Sequence, residues 1–190
     1  KFIILFIFMK VIHLLKKVLK RLLYSRFFKI KSSTNGMLDP MLYKIFYDLG
    51  RKNKNAIFLE IGGAHGAVSI SVALGIKKNN GNGKIIVFEK CFDGSRSRYG
   101  NYNDNYKILT NNLKSYEVEK YINLIPEVLN DESYIKAKKF LNNQKINFLI
   151  IDADGLLHRD FSYFYEHVEN DGYIIIDDYD HTKQEKKKKW

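Results

Sequence analysis

Acidic side chains and glycines that directly follow apolar runs are the residues of this 190-residue chain whose types and spacing could do chemistry. The segment 60–66 reads EIGGAHG and comes at the end of an apolar run. Glycines directly after a buried strand let the backbone turn tightly and approach a ligand, and a following helix offers unpaired N–H groups. This segment therefore predicts a binding site for a small ligand.

The glycine spacing does not support two common phosphate-binding motifs. A dinucleotide-binding loop requires G-x-G-x-x-G, but the run that starts at Gly62 matches only the first of these three glycines. A P-loop requires Gly-Lys followed by Ser or Thr, and the sequence contains no such tripeptide. A nicotinamide-dependent oxidoreductase is therefore disfavoured, and an ATPase of the P-loop type is excluded.

Carboxylates follow two further apolar runs. Asp152 and Asp154 come after one run, and Asp177, Asp178 and Asp180 come after the next. Carboxylates that lie this close repel one another unless a cation or a proton sits among them. Oxygen ligands without cysteine suit Mg²⁺ better than Zn²⁺, so the pattern predicts a magnesium site.

The apolar runs alternate with segments long enough for helices, and this order predicts the elements that position these side chains. The predicted strands are Ala56–Ile61, Lys84–Glu89, Tyr121–Ile125, Ile146–Ile151 and Gly172–Ile176, and the predicted helices are Ala67–Lys78, Tyr102–Tyr116, Glu132–Asn143 and Arg159–Glu169. Such alternation predicts an α/β fold with a Rossmann-like, doubly wound, mostly parallel sheet and helices on both faces. Ligands of these sheets bind beyond the carboxyl ends of the strands, where the glycines and acids lie.

The net charge of +11 lies at the two ends of the chain. Residues 1–31 contain nine Lys or Arg and no acid, the tail from Lys183 adds +4, and residues 32–182 carry −2. The body of the protein thus has no basic excess for a phosphate backbone, and no nucleic-acid partner is expected. The single cysteine, Cys91, excludes an internal disulfide and is consistent with a cytoplasmic protein.

The N-terminal residues 1–31 predict a basic amphipathic helix, with apolar positions at helical spacing from residue 10 to residue 28. Its apolar run 2–8 is too short to span a membrane. The helix either contacts an anionic membrane, which would place the protein at the inner face of that membrane, or covers its own domain. Residues 32–55 are predicted to be a linker and a lead-in helix, and residues 181–190 a basic tail.

The glycine segment resembles the first motif of class I S-adenosylmethionine (SAM)-dependent methyltransferases, an acid followed by glycines at alternate positions. Glu60, Gly62 and Gly66 match this motif, and Ala64 replaces the middle glycine. In the family, an acid at the end of the second strand accepts both ribose hydroxyls of SAM, and Glu89 has this position. The cofactor-binding residues that the resemblance implies are Glu60, Gly62, Gly63, Gly66, Glu89 and Asp152.

The acids after the fourth and fifth strands resemble those of the metal-dependent O-methyltransferases of the catechol and macrocin type. In that resemblance Asp152, Asp177 and Asp178 are the metal ligands. Relatives often place a histidine after the acidic pair of the fourth strand, but this chain has Gly155 there. Asp154 and His181, together with His158, are then the candidates for the catalytic base.

The resemblance covers residues 56–180 and implies a metal-assisted O-methyltransferase that uses SAM and Mg²⁺. Its methyl acceptor would be a hydroxyl of a small molecule, a sugar or a glycolipid. The family usually continues past the fifth strand with a helix and a hairpin, so the fold is expected to be truncated there. The alternative is a non-catalytic module that kept the fold and is tethered to a membrane or a partner by its N-terminal helix. The sequence carries no signal for an oligomeric state.

Overall fold

The computed structural model describes Leu19, Leu22 and residues 24–91, 102–152 and 156–177. Within these residues, five strands form one parallel sheet in the order β3-β2-β1-β4-β5. The strands are β1 (Ile57–Ile61), β2 (Lys84–Phe88), β3 (Ile122–Ile125), β4 (Ile146–Ile151) and β5 (Val168–Ile176). The chain runs outward from β1 to β3 and then returns to the other side of β1. The strand order therefore reverses between β1 and β4.

Helices cover both faces of the sheet, which confirms the predicted doubly wound α/β fold. They are α1 (Ser25–Ser33), α2 (Pro40–Lys52), α3 (Ala67–Lys78), α4 (Tyr102–Ser115), α5 (Asp131–Leu141) and α6 (Leu157–Phe164), with 3₁₀ turns at Glu119–Tyr121 and Tyr165–His167. Residues of α1 to α4 share one apolar core with one face of the sheet. Residues of α5 and α6 share a second core with the opposite face.

The strand β1 is buried on both faces because parallel strands have helices above and below them. All of its residues are buried. Alternate side chains enter different cores, so that Phe58 stacks on Phe148 of β4 at 4.6 Å on one face, while Leu59 enters the other core. By this alternation Glu60 lies on the same face as Phe58, the face that α3 covers.

The predicted boundaries around β5 are wrong. Helical spacing suggested a helix over Arg159–Glu169, but α6 ends at Phe164 and β5 begins at Val168. Apolar residues continue at helical spacing past the end of α6, so periodicity could not locate that end. The predicted strand start at Gly172 is also late. Val168 already pairs with Ile146, and a shift of register then separates this pair from the regular pairing that resumes at Tyr173.

The described end of the predicted N-terminal helix packs on the domain. In α1, Phe27 and Ile30 are buried in the core that α2 and α3 share, whereas Arg26 and Lys29 are exposed. Apart from Leu19 and Leu22, residues 1–23 lie outside the described residues, and so does the tail 181–190. In the part of the chain that the structure describes, no helix has the length and apolar character of a membrane span.

Candidate functional site

The glycine segment and Asp152 meet where the strand order reverses. Segment 62–66 follows β1, and Asp152 follows the neighbouring strand β4. The backbone N–H of Asp152 donates to the carbonyl oxygen of Ile61 at 2.9 Å, which continues the ladder between the two strands. In open parallel sheets this crevice is the place where ligands bind.

The glycine segment turns sharply and stays close to β2. Gly62 has φ 97° and Gly66, which caps the N-terminus of α3, has φ 90°. Both values lie in the left-handed region that glycine adopts without steric cost. Ala64, at the position of the family's middle glycine, has φ 44°. The N–H groups of Gly62 and Gly63 donate to the carbonyl oxygen of Phe88 at 2.9 and 3.2 Å. The loop is thereby held against the end of β2.

We expect Gly63→Ala to destabilise the protein by about 2 kcal/mol, because a Cβ there overpacks the loop. That atom would lie 2.4 Å from Cγ1 of Val87, which is buried in β2. Urea unfolding of Gly63→Ala, Val87→Ala and the double variant measures the effect. The double variant should lose less stability than the sum of the two single variants. Additive losses would contradict a direct clash between these residues.

Glu60 is a buried carboxyl that faces α3. Only 2% of its surface is exposed, and the hydroxyl of Ser69 on α3 donates a hydrogen bond to Oε2. Burial raises the pKa of Glu60 to about 8, and the charges of Asp152 and Glu89 add to this effect. Glu60 is therefore largely protonated at neutral pH when no cation is near.

Glu89 holds the glycine loop from the end of β2. One oxygen, Oε2, accepts the N–H of Ala64, and the other, Oε1, accepts the N–H of Cys91 at 2.7 Å. Burial raises the pKa of Glu89, while these two backbone bonds and the neighbouring His65 and Lys90 oppose the rise. Burial and the neighbouring Glu89 also raise the pKa of the Cys91 thiol to about 12. A thiol with so high a pKa is not a nucleophile at neutral pH.

His65 connects the glycine loop to α4. Its side chain is buried, with Nε2 3.0 Å from Oδ1 of Asn105, and its carbonyl oxygen accepts a bond from Nδ2 of Asn112 at 2.9 Å. These two asparagines lie on α4. His65 therefore packs the glycine loop against α4.

A pocket that is partly open to solvent lies in the crevice beside the loop. One part of its wall is formed by Asp152 and by residues of the glycine segment and the start of α3, namely Glu60, Gly62, Gly63, Ala64, His65, Ala67 and Val68. The other part is formed by Tyr43 of α2 and by residues 34–38, which connect α1 to α2 and are called the pocket strap below.

The structure brings together most of the residues predicted to bind the cofactor. Glu60, Gly62, Gly63 and Asp152 line the pocket. Gly66 caps α3, and Glu89, which is not among the residues that line the pocket, is bonded to the loop through the N–H of Ala64.

The predicted metal ligands are only partly described. The backbone N–H of Asp177 donates to the carbonyl oxygen of Ile151 at 3.0 Å, so this exposed residue lies beside Asp152 at the edge of the sheet. Asp178 and the candidate bases Asp154 and His181 lie outside the described residues, and His158 is exposed on α6. Among residues 24–91, 102–152 and 156–177, no group of three or more His, Cys, Asp or Glu is placed to hold a metal ion.

Two parts of the site were missed by sequence reasoning. The sequence predicts a linker where the pocket strap lies, because Ser32, Ser33, Thr34, Asn35 and Gly36 are typical turn residues. Ser69 carried no signal at all, since its partner Glu60 lies nine residues earlier and the contact depends on how α3 packs on β1. Tertiary packing alone creates both features.

Comparison with known proteins agrees with this geometry. A family model described as a methyltransferase domain matches residues 59–179. A search of curated proteins found no significant match.

Three solved structures have a similar fold at low sequence identity. The Bacillus cereus O-methyltransferase in complex with SAH is 16% identical, with a TM-score of 0.55 over 80% of this chain and 64% of that one. The Streptomyces achromogenes O-methyltransferase TomG, in complex with SAM, is 13% identical, with a TM-score of 0.56 over 80% of this chain and 63% of that one. The SAH-bound Podospora anserina methyltransferase PaMTH1 is 16% identical, with a TM-score of 0.55 over 74% and 53%.

The chain spans less than two thirds of the length of these three proteins. At such identities the structural likeness shows the fold. The family model, in contrast, matches more than half of the chain and includes the glycine segment, Glu89, Asp152 and Asp177. The chain therefore belongs to the methyltransferase-domain family.

Proposed function

We propose that this protein is a SAM-dependent methyltransferase that methylates a hydroxyl oxygen of a small molecule, a sugar or a glycolipid. The observation that carries the proposal is the glycine loop at the reversal of strand order, with Glu60, Glu89 and Asp152 around it. The three side chains are close enough for the charges of Asp152 and Glu89 to raise the pKa of Glu60. Grouped carboxylates at a concave site favour a cationic ligand, and SAM is a sulfonium cation.

The residues of the site fit the parts of SAM. Each carboxylate oxygen of Glu89 accepts one backbone N–H, and since such an oxygen has two lone pairs, the carboxylate can also accept the two ribose hydroxyls. Gly63 has no side chain, and its backbone lies at the pocket wall. Glu60 and Asp152 also line the pocket and would face the cationic part of the molecule.

Bound SAM supplies a methyl group on sulfur; the carbon–sulfur bond breaks as the carbon–oxygen bond forms, and the sulfur keeps the electron pair. The protein has to orient the acceptor hydroxyl in line with that methyl group, and one of its side chains has to accept the proton of the hydroxyl. Asp154 and His181 remain the proposed bases. The pocket strap and Tyr43 cover the pocket from the side of α2 and would exclude water.

Asp152 and Asp177, together with Asp178, are proposed to hold Mg²⁺. The first two follow neighbouring strands at one edge of the sheet, and hard oxygen ligands are the donors that Mg²⁺ prefers. When bound, the ion would lower the pKa of the acceptor hydroxyl.

Removal of the metal should affect methyl transfer and leave cofactor binding intact. We expect EDTA, and separately Asp177→Asn, to lower the rate of transfer by about tenfold or more, because the acceptor hydroxyl is then less acidic. Added Mg²⁺ should restore the EDTA-treated wild type only. Affinity for S-adenosylhomocysteine (SAH), measured by calorimetry, should not change. Equal rates with and without EDTA would contradict the metal proposal.

The methyltransferase activity itself can be tested with SAM labelled with tritium in its methyl group. The purified protein is incubated with fractionated small molecules, sugars and glycolipids from its host, and a labelled product that resists base hydrolysis is expected. Base resistance excludes a methyl ester, and mass spectrometry and NMR of the purified product should show the methyl ether that O-methylation of an alcohol or phenol requires. Absence of any labelled product in every fraction would contradict the proposal and favour a non-catalytic module.

A further inference from the structure

We infer that Lys31 is a positioning residue that holds the pocket strap, residues 34–38, as one wall of the cofactor pocket. This inference rests on the proposed function, because it concerns how tightly the cofactor is bound. Lys31 lies in the last turn of α1, outside the residues that line the pocket. Nothing in the motif of the glycine segment points to it.

The Lys31 ammonium binds the C-terminal end of the strap. Its Nζ donates to the carbonyl oxygen of Leu38 at 2.8 Å and is 3.3 Å from the carbonyl oxygen of Met37. The two carbonyls lie six and seven residues further along the chain, at the end of the strap. Hydrogen bonds from a charged donor are about twice as strong as neutral ones.

The two ends of the strap are held in different ways. The start is fixed by the end of α1, where Thr34 is buried and its hydroxyl donates to the carbonyl oxygen of Ile30 at 2.7 Å. The end leads through Asp39, the N-cap of α2, into that helix, and it is also held through side chains, since the N–H of Leu38 donates to the Tyr43 hydroxyl at 3.0 Å and Lys31 binds the carbonyls. Loss of a side-chain anchor would therefore release the end of the strap first.

The strap packs closely against α2 and the start of α3, so it fits there in one position. A Cβ added at Gly36 would lie 2.3 Å from the Tyr43 hydroxyl oxygen and 3.2 Å from Cβ of Ala67 at the start of α3. The strap thus lies directly on Tyr43 and on the helix that follows the glycine loop. Any outward movement of the strap removes one part of the lining that it shares with Gly63 and Asp152.

If the wall is formed in only a fraction of the molecules, the apparent affinity for the cofactor falls to that fraction of its full value. Saturating cofactor would select the molecules with a formed wall. The expected signature of Lys31 is therefore a change in Kd and KM for the cofactor with little change in kcat. A catalytic residue would instead change kcat.

The test compares Lys31→Met with Lys31→Arg and with the matched control Lys29→Met, which removes an exposed charge from the same helix. Calorimetry with SAH and steady-state kinetics with SAM are the readouts. Lys31→Met should raise Kd and KM by about tenfold, as expected for the loss of one or two charge-assisted hydrogen bonds. Lys31→Arg, which keeps a cationic donor, should restore both to within about threefold, and Lys29→Met should match the wild type.

An unchanged Kd in Lys31→Met, or an equal loss in Lys29→Met, would overturn the inference. Hydrogen exchange of the ligand-free protein separates this inference from the proposed function. The amide of Leu38 should exchange faster in Lys31→Met than in the wild type, while the amides of β1 should not change. If the wild type binds no SAH, the proposed function is wrong, and an effect of Lys31 on cofactor affinity cannot exist. Equal exchange at Leu38 would show that Lys31 does not hold the strap.

Discussion

Glu89→Gln is expected to weaken SAH binding about 300-fold. In the proposed complex the carboxylate accepts two ribose hydroxyls, and hydrogen bonds to a charged group contribute about 1.5–3 kcal/mol each. An amide replaces one acceptor oxygen by an NH₂ group, which cannot accept a ribose hydroxyl. The carboxylate accepts hydrogen bonds from the N–H groups of Ala64 and Cys91. In the variant, the NH₂ group would face one of these N–H groups, and two donors cannot bind each other. Calorimetric titration with SAH measures the loss.

An analogue lacking one ribose hydroxyl distinguishes a ribose contact from a purely structural role of Glu89. If Glu89 binds the ribose, the wild type should bind 2′-deoxy-SAH about tenfold less tightly than SAH, whereas the difference should be clearly smaller in Glu89→Gln. If Glu89 only holds the loop through Ala64, the deoxy analogue should lose the same affinity in both proteins. The second pattern would refute the ribose contact.

Glu60→Gln is expected to stabilise the ligand-free protein increasingly as the pH rises. The pKa of Glu60 is about 8 in the folded protein against an ordinary value of 4.5, mainly because the carboxyl is buried. Between these values the unfolded chain loses this proton and the folded protein keeps it, so stability falls as the pH rises. Glutamine is neutral at every pH and can still accept the Ser69 hydroxyl bond. The stability difference should therefore grow, by an amount on the order of 4 kcal/mol, from pH 5 to pH 8.

Urea unfolding of the two proteins at pH 5 and at pH 8 checks this expectation. Burial also raises the pKa of Glu89, so the free energy of unfolding of the wild type falls with pH for this second reason. Only the difference in unfolding free energy between Glu60→Gln and the wild type is therefore informative. A difference that stays constant between the two pH values would show that Glu60 is ionised in the folded protein.

Cofactor affinity should show the opposite response to pH. A sulfonium near Glu60 favours the carboxylate form, so binding of SAM releases a proton from this residue. SAM affinity of the wild type should therefore rise with pH up to about 8, the pKa of Glu60 in the ligand-free protein. Glu60→Gln should lack this part of the pH dependence.

The sequence predicted the architecture because its signals are local. The runs that form β1 and β2 are nearly continuous in apolar residues, as strands buried on both faces require, and they alternate with segments of helical length. The segment 60–66 contains glycines where the backbone must adopt positive φ, at Gly62 and Gly66. Those residues are recognisable without any knowledge of what they contact.

The parts that were missed or misplaced depend on contacts between distant residues. The end of α6 and the start of β5 could not be located, because the shift of register after Ile146 is set by how β5 pairs with β4. The pocket strap looks like a linker in sequence, and only the packing of α1 and α2 on α3 places it at the pocket. The bond between Glu60 and Ser69 likewise depends on the position of α3 above β1.

The most direct test of the central claim is calorimetric titration of the folded wild-type protein with SAH. A glycine loop bordered by Glu60, Glu89 and Asp152 should give saturable 1:1 binding, with a Kd on the order of 10 μM, in the usual range of enzyme affinities for small ligands. A folded protein that gives no binding heat at SAH concentrations up to about 1 mM, the upper end of that range, would contradict the claim.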